Sequence, residues 1–202
     1  MKTKPFVVGL IHTNCYMVIN EETKEAVVVD AAKSPKKMLD YAEEKGFDVK
    51  AILLTHGHFD HIMGIDEILS VYDIPVYVHE DEKETMIDPA INLSRNYSFS
   101  DAVYLKDGEV LNLAGMEFKV IHTPGHTPGC VCYYMESEKV LFSGDTLFEM
   151  SVGRTDFPNG STETLVKSVR EKLFVLPDDV LVFPGHMGET SIGYEKLHNM
   201  YV

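Results

Sequence analysis

Four side chains of the kinds that bind divalent metal ions fall within one six-residue segment, HGHFDH at 56–61. Histidines two positions apart on extended backbone project to the same side of the chain, so His56 and His58 can reach one point. Asp60 and His61 follow directly and can turn toward a neighbouring point. The alternative interpretation is an ordinary polar loop. We interpret the segment as part of a metal site because a short loop seldom collects four ligands by chance.

Three further ligand-type side chains each lie in a tight turn that follows an apolar, strand-like run. They are His126 in TPGHTPG, Asp145 in FSGDTLF and His186 in FPGH. Glycine next to each of them lets the backbone turn sharply and approach a crowded centre. Each turn alone is weak evidence, because a single histidine after a strand is usually solvated or hydrogen-bonded. Together with segment 56–61, however, the three turns complete a set of seven ligands.

Seven ligands suit two ions, because each ion takes about four protein ligands and leaves a position for water. The predicted first ligand set is His56, His58 and His126. The predicted second ligand set is Asp60, His61 and His186. Asp145 would give one carboxylate oxygen to each ion. Imidazole and carboxylate ligands without thiolate suit zinc, with iron or manganese as alternatives, and the histidines without a predicted ligand role are His12, His79, His122 and His198.

The chemistry that such a centre predicts is hydrolysis. A water held between two cations loses its proton near neutral pH, and the hydroxide can attack an electrophilic carbonyl. Asp60 would orient this hydroxide as well as bind metal, and Asp145 would fix the distance between the ions. We therefore predict both aspartates as catalytic residues. Asp30, at the end of VVVD, is the candidate that fixes the tautomer of a ligand histidine.

The elements that must position these ligands are short strands that alternate with helices. Apolar and β-branched runs predict strands at 6–10, 16–19, 26–29, 51–54, 75–79, 117–121, 131–135, 140–142 and 180–183. Helices are predicted after a Ser34-Pro35 cap, at 65–71, at 81–86, and from Ser161 onward, where a Ser/Thr cap precedes an amphipathic pattern. Because no linker or change of composition interrupts this alternation, we expect a single domain over residues 1–202.

The composition argues against several classes of partner. Lys and Arg total 18 against 32 Asp and Glu, a formal charge of −14, so nucleic acid would be repelled. Three cysteines are too few for a disulfide framework, which favours a reducing, cytoplasmic location. The N-terminal apolar run is too short and polar for a signal sequence, and no run is long enough to cross a membrane. We expect a small-molecule substrate and neither nucleic acid nor membrane.

These motifs resemble the metallo-β-lactamase superfamily. Its HxHxDH signature matches residues 56–61, and its later ligands match His126, Asp145 and His186. Five flanking segments are more narrowly similar to its glyoxalase II branch, the hydroxyacylglutathione hydrolases, and to the short members of that branch: TNCYMV, HTPGHTPG, SGDTLF, SVGRTDFPNG and PGHMGETSIGYEK. The resemblance implies an α/β (α+β) fold, a four-layer αββα sandwich of two mixed β-sheets flanked by helices, with the metal site along one edge.

The resemblance also implies a thioesterase that acts on S-lactoylglutathione or a related acyl-thiol. Arg154 lies where longer glyoxalase II enzymes place a basic residue, so it is a candidate anchor for a substrate carboxylate. An ion pair with Asp156 is the alternative. The longer enzymes contact glutathione through a C-terminal extension, whereas this sequence continues for 16 residues past His186. We therefore expect an incomplete glutathione pocket, which leaves the acyl group and the thiol open.

Two other functions fit the same motifs. One is a mononuclear iron persulfide dioxygenase, because relatives with that activity share the HxHxDH signature and a GRTDF segment. The other is a catalytically inactive metal-binding scaffold of the same fold. The PGH segment at 184–186 favours two metals over one, and the complete ligand set favours an active enzyme. The sequence does not predict the oligomeric state.

Overall fold

The computed structural model describes residues 1–9 and 11–202. Fourteen strands lie in the described part of the chain: β1 (Lys2–Val8), β2 (Thr13–Asn20), β3 (Glu25–Val29), β4 (Asp48–Leu53), β5 (Val76–His79), β6 (Val103–Leu105), β7 (Val110–Leu113), β8 (Met116–His122), β9 (Val131–Met135), β10 (Val140–Gly144), β11 (Leu147–Phe148), β12 (Ser151–Val152), β13 (Leu181–Pro184) and β14 (Thr190–Ser191). The α-helices are α1 (Lys36–Lys45), α2 (Phe59–Ile62), α3 (Ile65–Leu69), α4 (Lys83–Ile87), α5 (Thr162–Ser168) and α6 (Ile192–His198). A 3-10 turn covers Glu80–Glu82, and a π-helical turn, Val169–Leu173, continues α5.

Two six-stranded sheets carry most of these strands, and both are mixed. The first has the order β1-β2-β3-β4-β5-β6, antiparallel from β1 to β3 and parallel from β3 to β6. The second has the order β14-β13-β10-β9-β8-β7, in which only β10 and β13 are parallel neighbours. Strands β11 and β12 form a separate two-stranded ribbon.

The side chains of β3 show how the layers are stacked. Val27 and Val29 belong to a buried cluster that also contains Phe118 and Phe142 of the second sheet, so this cluster lies between the sheets. Ala26 and Val28 point to the opposite face, because successive residues of a strand alternate. They pack with residues of α1, α2, α3 and α4.

The outer face of the second sheet is covered in the same way. Cys132 and Leu141 pack there against Val169 of the turn that continues α5 and against Ile192 of α6. The order of layers is therefore helix, sheet, sheet, helix, and the αββα sandwich with two mixed sheets that the resemblance implied is confirmed.

The predicted caps gave different outcomes. Ser161 caps α5 as expected, because its side chain accepts a hydrogen bond from the Thr164 amide. The prediction for Ser34 is wrong: Pro35 occupies the cap position of α1, and no side chain caps the helix. Ser34 has a positive φ of 67°, a left-handed conformation outside the helix. Burial of Met38 and Ala42 therefore holds α1 in place instead.

Each predicted strand overlaps an observed strand, with ends displaced by up to about four residues. The prediction at 6–10 includes Leu10, which lies outside the described residues, and β1 ends at Val8. In the described part of the chain, every helix is too short or too polar to cross a bilayer.

Candidate metal centre

The predicted ligands lie at or just beyond strand ends. Segment 56–61 follows β4, and its last part forms α2, which carries Asp60 and His61. Asp145 comes directly after β10, and His186 lies two residues beyond β13. Because β10 and β13 are parallel neighbours, their carboxyl ends open on the same edge and bring these two side chains together. His126 lies in the turn from β8 to β9.

The structure brings the residues of each predicted ligand set together. His56, His58 and His126 each offer one nitrogen within 4.8 Å of the others, and the same holds for the ligand atoms of Asp60, His61 and His186. Asp145 lies between the two sets: its Oδ1 is 3.4 Å from His61 Nε2 and its Oδ2 is 3.5 Å from His126 Nε2. This is the placement that a bridging carboxylate requires.

The spacing of these atoms suits tetrahedral coordination. Two ligands that each lie about 2.05 Å from one zinc ion are about 3.3 Å apart. In the second ligand set, Asp60 Oδ2 is 3.2 Å from both His61 Nε2 and His186 Nε2. In the first, His58 Nδ1 and His126 Nε2 are 2.8 Å apart, so this pair would separate slightly around an ion.

Buried polar atoms without partners mark the same place. Four of them belong to predicted ligands: the Nε2 atoms of His56, His58 and His61, and Oδ1 of Asp145. None has a hydrogen-bond partner among the described residues. A buried polar atom left unsatisfied costs about 1–3 kcal/mol. A cation would give His56 Nε2, His61 Nε2 and Asp145 Oδ1 a partner, so these residues fit divalent metal ions, whereas His58 faces its ligand set through Nδ1 and its Nε2 points away.

Electrostatics lead to the same conclusion. Burial lowers the pKa of His56 well below its ordinary value and that of His58 to about 3, so both imidazoles are neutral, the form that binds metal. Burial would also lower the pKa of His61. The charges of Asp60, Asp30 and Asp145 outweigh burial, however, and raise it well above the ordinary value. Three carboxylates thus surround one imidazole, and a bound cation would offset their charge.

Asp30 makes the contact that the sequence predicted for it. Its Oδ2 lies 2.9 Å from His61 Nδ1, and its Oδ1 accepts a hydrogen bond of 2.8 Å from the Thr55 amide. The Thr55 hydroxyl donates to Oδ2 of the same carboxylate at 2.9 Å. A proton on His61 Nδ1 leaves the lone pair on Nε2, the nitrogen that lies close to Asp60 of the same ligand set.

Two other contacts to the ligands were not predicted from the sequence. The Thr13 hydroxyl donates to Asp60 Oδ2 at 2.8 Å. The backbone carbonyl of Arg154 lies 2.6 Å from His126 Nδ1 and so leaves Nε2 free to face the centre. A backbone carbonyl carries no sequence signal. Thr13 could have been noticed only as part of TNCYMV, the first of the motifs that carry the resemblance.

The same motif anchors the loop of His186. The Asn14 side chain donates to the carbonyls of Pro184 and Met187 at 2.9 and 3.0 Å, one on each side of the ligand. Tyr16 donates to the Pro184 carbonyl at 2.7 Å. Strand β2 therefore fixes a loop that follows it by about 170 positions, as the Asn14 to Pro184 separation shows.

The Arg154 side chain lies at the surface near the first ligand set. It forms two hydrogen bonds with the Asp156 carboxylate, of 2.9 and 2.7 Å, and both side chains are about two-thirds exposed. Its guanidinium also lies 4.3 Å from the ring centre of Phe157, whose ring is in T-shaped contact with those of His58 and His126. The predicted ion pair is therefore present. An exposed pair of this kind contributes little stability, so it leaves Arg154 able to bind a ligand.

A further cluster of ligand-type side chains joins the ends of β5 and β8. The rings of His79 and His122 stack with centroids 4.0 Å apart and planes at 13°, beside the Asp81 carboxylate. His122 Nε2 also lies 2.8 Å from the Pro128 carbonyl, which takes its proton. The ligand atoms of His79, Asp81 and His122 nevertheless lie within 4.8 Å of one another, so the expectation that neither histidine binds metal stays a prediction.

Gly185 leaves space for two ligands, and filling this space should damage the centre. In Gly185→Ala, the added Cβ would lie 2.4 Å from Asp145 Oδ1 and 2.8 Å from His61 Cε1. We expect metal affinity to fall at least about 10-fold, because displaced ligands cost at least as much as altered supporting contacts. Elemental analysis after dialysis measures the effect.

Gly188→Ala is the matched control, three residues along the same loop. There the added Cβ would meet only the flexible end of exposed Glu149, so we expect unchanged metal content. Normal metal content in Gly185→Ala would contradict the proposed position of the centre.

A facing pair of mixed sheets with a His/Asp centre at the strand ends defines a class of metal-dependent proteins. The chain belongs to the metallo-β-lactamase superfamily, whose family model matches residues 8–186. It is 38% identical to a Bacillus subtilis protein named "Probable metallo-hydrolase YqgX", over 100% of this chain and 98% of that one. It is 32% identical to the Haemophilus influenzae "Hydroxyacylglutathione hydrolase GloC", over 94% and 92% of the two chains. Membership of this superfamily, with these relatives, supports a hydrolase-type enzyme.

Solved structures are similar over the same length. The B3 metallo-β-lactamase BLEG-1 is 39% identical, with a TM-score of 0.93 and 99% of both chains covered. TTHA1623, solved in a di-iron-bound form, is 33% identical, with a TM-score of 0.86 over 98% of this chain and 100% of that one. The metal-type clusters of this chain and the di-iron relative support divalent metals at the centre.

Proposed function

We propose that this protein is a dinuclear metal-dependent hydrolase of thioesters, with S-lactoylglutathione or a related acyl-thiol as substrate. The observation that carries the two-ion part is the position of Asp145 between the ligand sets: Oδ1 is 3.4 Å from His61 of the second set, and Oδ2 is 3.5 Å from His126 of the first set and 3.6 Å from His186 of the second. The thioester part is supported by the similarity to the hydroxyacylglutathione hydrolase of Haemophilus influenzae. We propose zinc as the metal, since all seven ligands are imidazoles or carboxylates, and iron is the alternative that the di-iron relative supports.

Each part of the centre has its own task in this proposal. Divalent ions bound there would supply Lewis acidity, which lowers the pKa of a water and polarises the carbonyl under attack. Asp60, held through Oδ2 by the Thr13 hydroxyl, would orient the attacking water. Asp145 would set the distance between the ligand sets. The chain need not supply a general acid, because thiols ionise near pH 8.5 and a thiolate leaves unaided.

The similarity to BLEG-1 favours a second candidate, hydrolysis of a β-lactam amide. Both reactions need a water activated beside an electrophilic carbonyl. They differ in the leaving group, because an amide nitrogen needs a proton as the C–N bond breaks and a thiolate does not. Assaying both substrates on the same preparation therefore separates the two candidates.

The experiment combines elemental analysis with three assays on one purified sample. Thioester hydrolysis is followed with S-D-lactoylglutathione, β-lactam hydrolysis with a chromogenic cephalosporin, and oxygen uptake with glutathione persulfide. We expect two divalent ions per chain and a higher kcat/KM for the thioester than for the cephalosporin. One iron with oxygen-dependent turnover would overturn the proposal in favour of a dioxygenase. Two ions with no turnover in any assay would favour an inactive scaffold.

Arg154 is the proposed anchor for a substrate carboxylate. Arg154→Ala should raise the KM for S-D-lactoylglutathione about 3-fold to 10-fold with kcat nearly unchanged, because an exposed, charge-assisted contact contributes binding rather than catalysis. Steady-state kinetics measure the change. Arg170→Ala, an exposed arginine of the π-helical turn, controls for loss of positive charge. An unchanged KM in Arg154→Ala would show that Arg154 does not bind the substrate and only pairs with Asp156.

A further inference from the structure

Glu82 is a fully buried carboxylate at the end of the 3-10 turn that follows β5. Burial raises the pKa of its carboxyl group, and hydrogen bonds to its oxygens act in the opposite direction. These hydrogen bonds come from the Gly57 amide at 2.8 Å, the Gly129 amide at 2.8 Å and the Thr127 hydroxyl. A buried carboxylate is costly unless such donors satisfy it, so this arrangement is a built feature of the fold.

The donors come from two loops that are far apart in the sequence. Gly57 lies between the first two histidines of the first ligand set, and Thr127 directly follows the third. Glu82 Oε2 binds one loop and Oε1 binds the other. One side chain therefore joins the two backbone segments that carry the whole first ligand set.

The glycines of these loops make room for this contact. A Cβ on Gly57 would lie 2.9 Å from Glu82 Oε2, and a Cβ on Gly129 would lie 2.5 Å from the Glu82 backbone nitrogen. Neither glycine has a positive φ, so space rather than backbone freedom requires them. Close approach to Glu82 and its turn therefore explains both glycines.

We infer that Glu82 is a positioning residue that sets the separation of the two loops and thereby the metal affinity of the first ligand set. The inference rests on the proposed dinuclear function. The second ligand set has other supports: Thr13 holds Asp60 and Asp30 holds His61. Loss of the hydrogen bonds to Glu82 should therefore lower the metal affinity of the first ligand set and leave that of the second unchanged.

Glu195 offers a matched control for a merely structural role. It is also fully buried, and it accepts hydrogen bonds from the Met150 amide, the Thr190 hydroxyl and the Asn199 side chain. None of these donors is a neighbour in sequence of a predicted ligand. Glu195→Gln therefore perturbs a buried, three-donor carboxylate without touching either ligand set.

The test titrates metal-free protein with Co²⁺ and follows the visible absorption of each bound ion. Glu82→Gln keeps the size of the side chain but turns one acceptor into an NH₂ group that cannot accept a hydrogen bond. We expect the Co²⁺ affinity of one site to fall about 10-fold to 100-fold, as for other contacts that orient ligands, while the other site is retained. Glu195→Gln should lower the thermal midpoint and leave both affinities unchanged.

Thr127→Val removes a single hydrogen bond to Glu82 and serves as the second variant if Glu82→Gln does not fold. It should weaken the same site in the same direction. Unchanged affinity of both sites in these variants, or equal weakening of both sites, would overturn the inference. If the unaltered protein binds one ion only, the two-ion proposal fails, and a drop in affinity for that ion in Glu82→Gln would still support positioning by Glu82.

Discussion

Asp145→Asn should lower the bound metal from two ions per chain to one or fewer and reduce hydrolysis by more than about 100-fold. The carboxylate has one oxygen 3.4 Å from His61 and the other 3.5 Å from His126, and both distances suit a ligand shared by two ions. An amide nitrogen cannot bind metal in this way, and the substitution removes a negative charge. Supporting contacts alone are worth 10-fold to 100-fold in metal sites, so a direct ligand should exceed that range.

Elemental analysis and thioester hydrolysis, measured on the same sample, check this prediction. Asp40→Asn is the control, because Asp40 is an exposed aspartate of α1 paired with Lys36. It changes the charge of the protein equally and should leave metal content and turnover unchanged. Full metal content with a normal rate in Asp145→Asn would show that Asp145 is not a metal ligand.

Asp30→Asn should weaken metal binding by the second ligand set about 10-fold to 100-fold without loss of the fold. The two carboxylate oxygens have different partners: Oδ1 accepts from the Thr55 amide, and Oδ2 accepts from His61 Nδ1. An asparagine has one oxygen, so its NH₂ group must face either the Thr55 amide or the imidazole. In the second orientation it favours a proton on His61 Nε2, the atom that would bind the ion.

The backbone at this position tolerates the change. Asp30 has a φ of 61°, and asparagine is among the residues that adopt this left-handed conformation most readily. Competition with a chromophoric chelator measures the affinity. Asp107→Asn is the control, since Asp107 also accepts from a backbone amide, that of His122. Equal losses in the two variants, or no loss in Asp30→Asn, would contradict control of the His61 tautomer by Asp30.

Local patterns predicted the central strands and several helices well. Strands such as β3, β4, β9 and β10 are buried on both faces, so their sequences are continuous apolar runs that stand out in the chain. Strands β6 and β7 were not predicted. Each is the edge strand of its sheet, and the alternate residues Val103 and Val110 are exposed. Edge strands are short and half solvated, so their sequences carry little hydrophobic pattern.

The cap of α1 shows a different limit. Ser34-Pro35 has the composition of a helix start, but Ser34 adopts a positive φ and its side chain does not cap. Propensity describes an isolated segment, and the packing of Met38 and Ala42 decides where this helix begins. The same pattern at Ser161 worked because the chain there can place the hydroxyl next to the Thr164 amide.

The sequence by itself determined the chemical type of the centre. The four ligand side chains of segment 56–61 lie within six residues, so their spacing can be interpreted from backbone geometry alone. The three ligands in turns each follow a strand and have a glycine beside them. The resemblance carried by the flanking motifs determined the family. Both kinds of information are local, since each depends on residue types and separations of a few positions.

Only the tertiary structure decided how the ligands are divided and supported. Asp145 reaches both ligand sets because β10 and β13 are parallel neighbours beside the loop after β4. Thr13 meets Asp60 across 47 positions, and Glu82 joins two loops 25 and 47 positions away. Contacts at such separations depend on how the two sheets pack, and no local pattern encodes that packing.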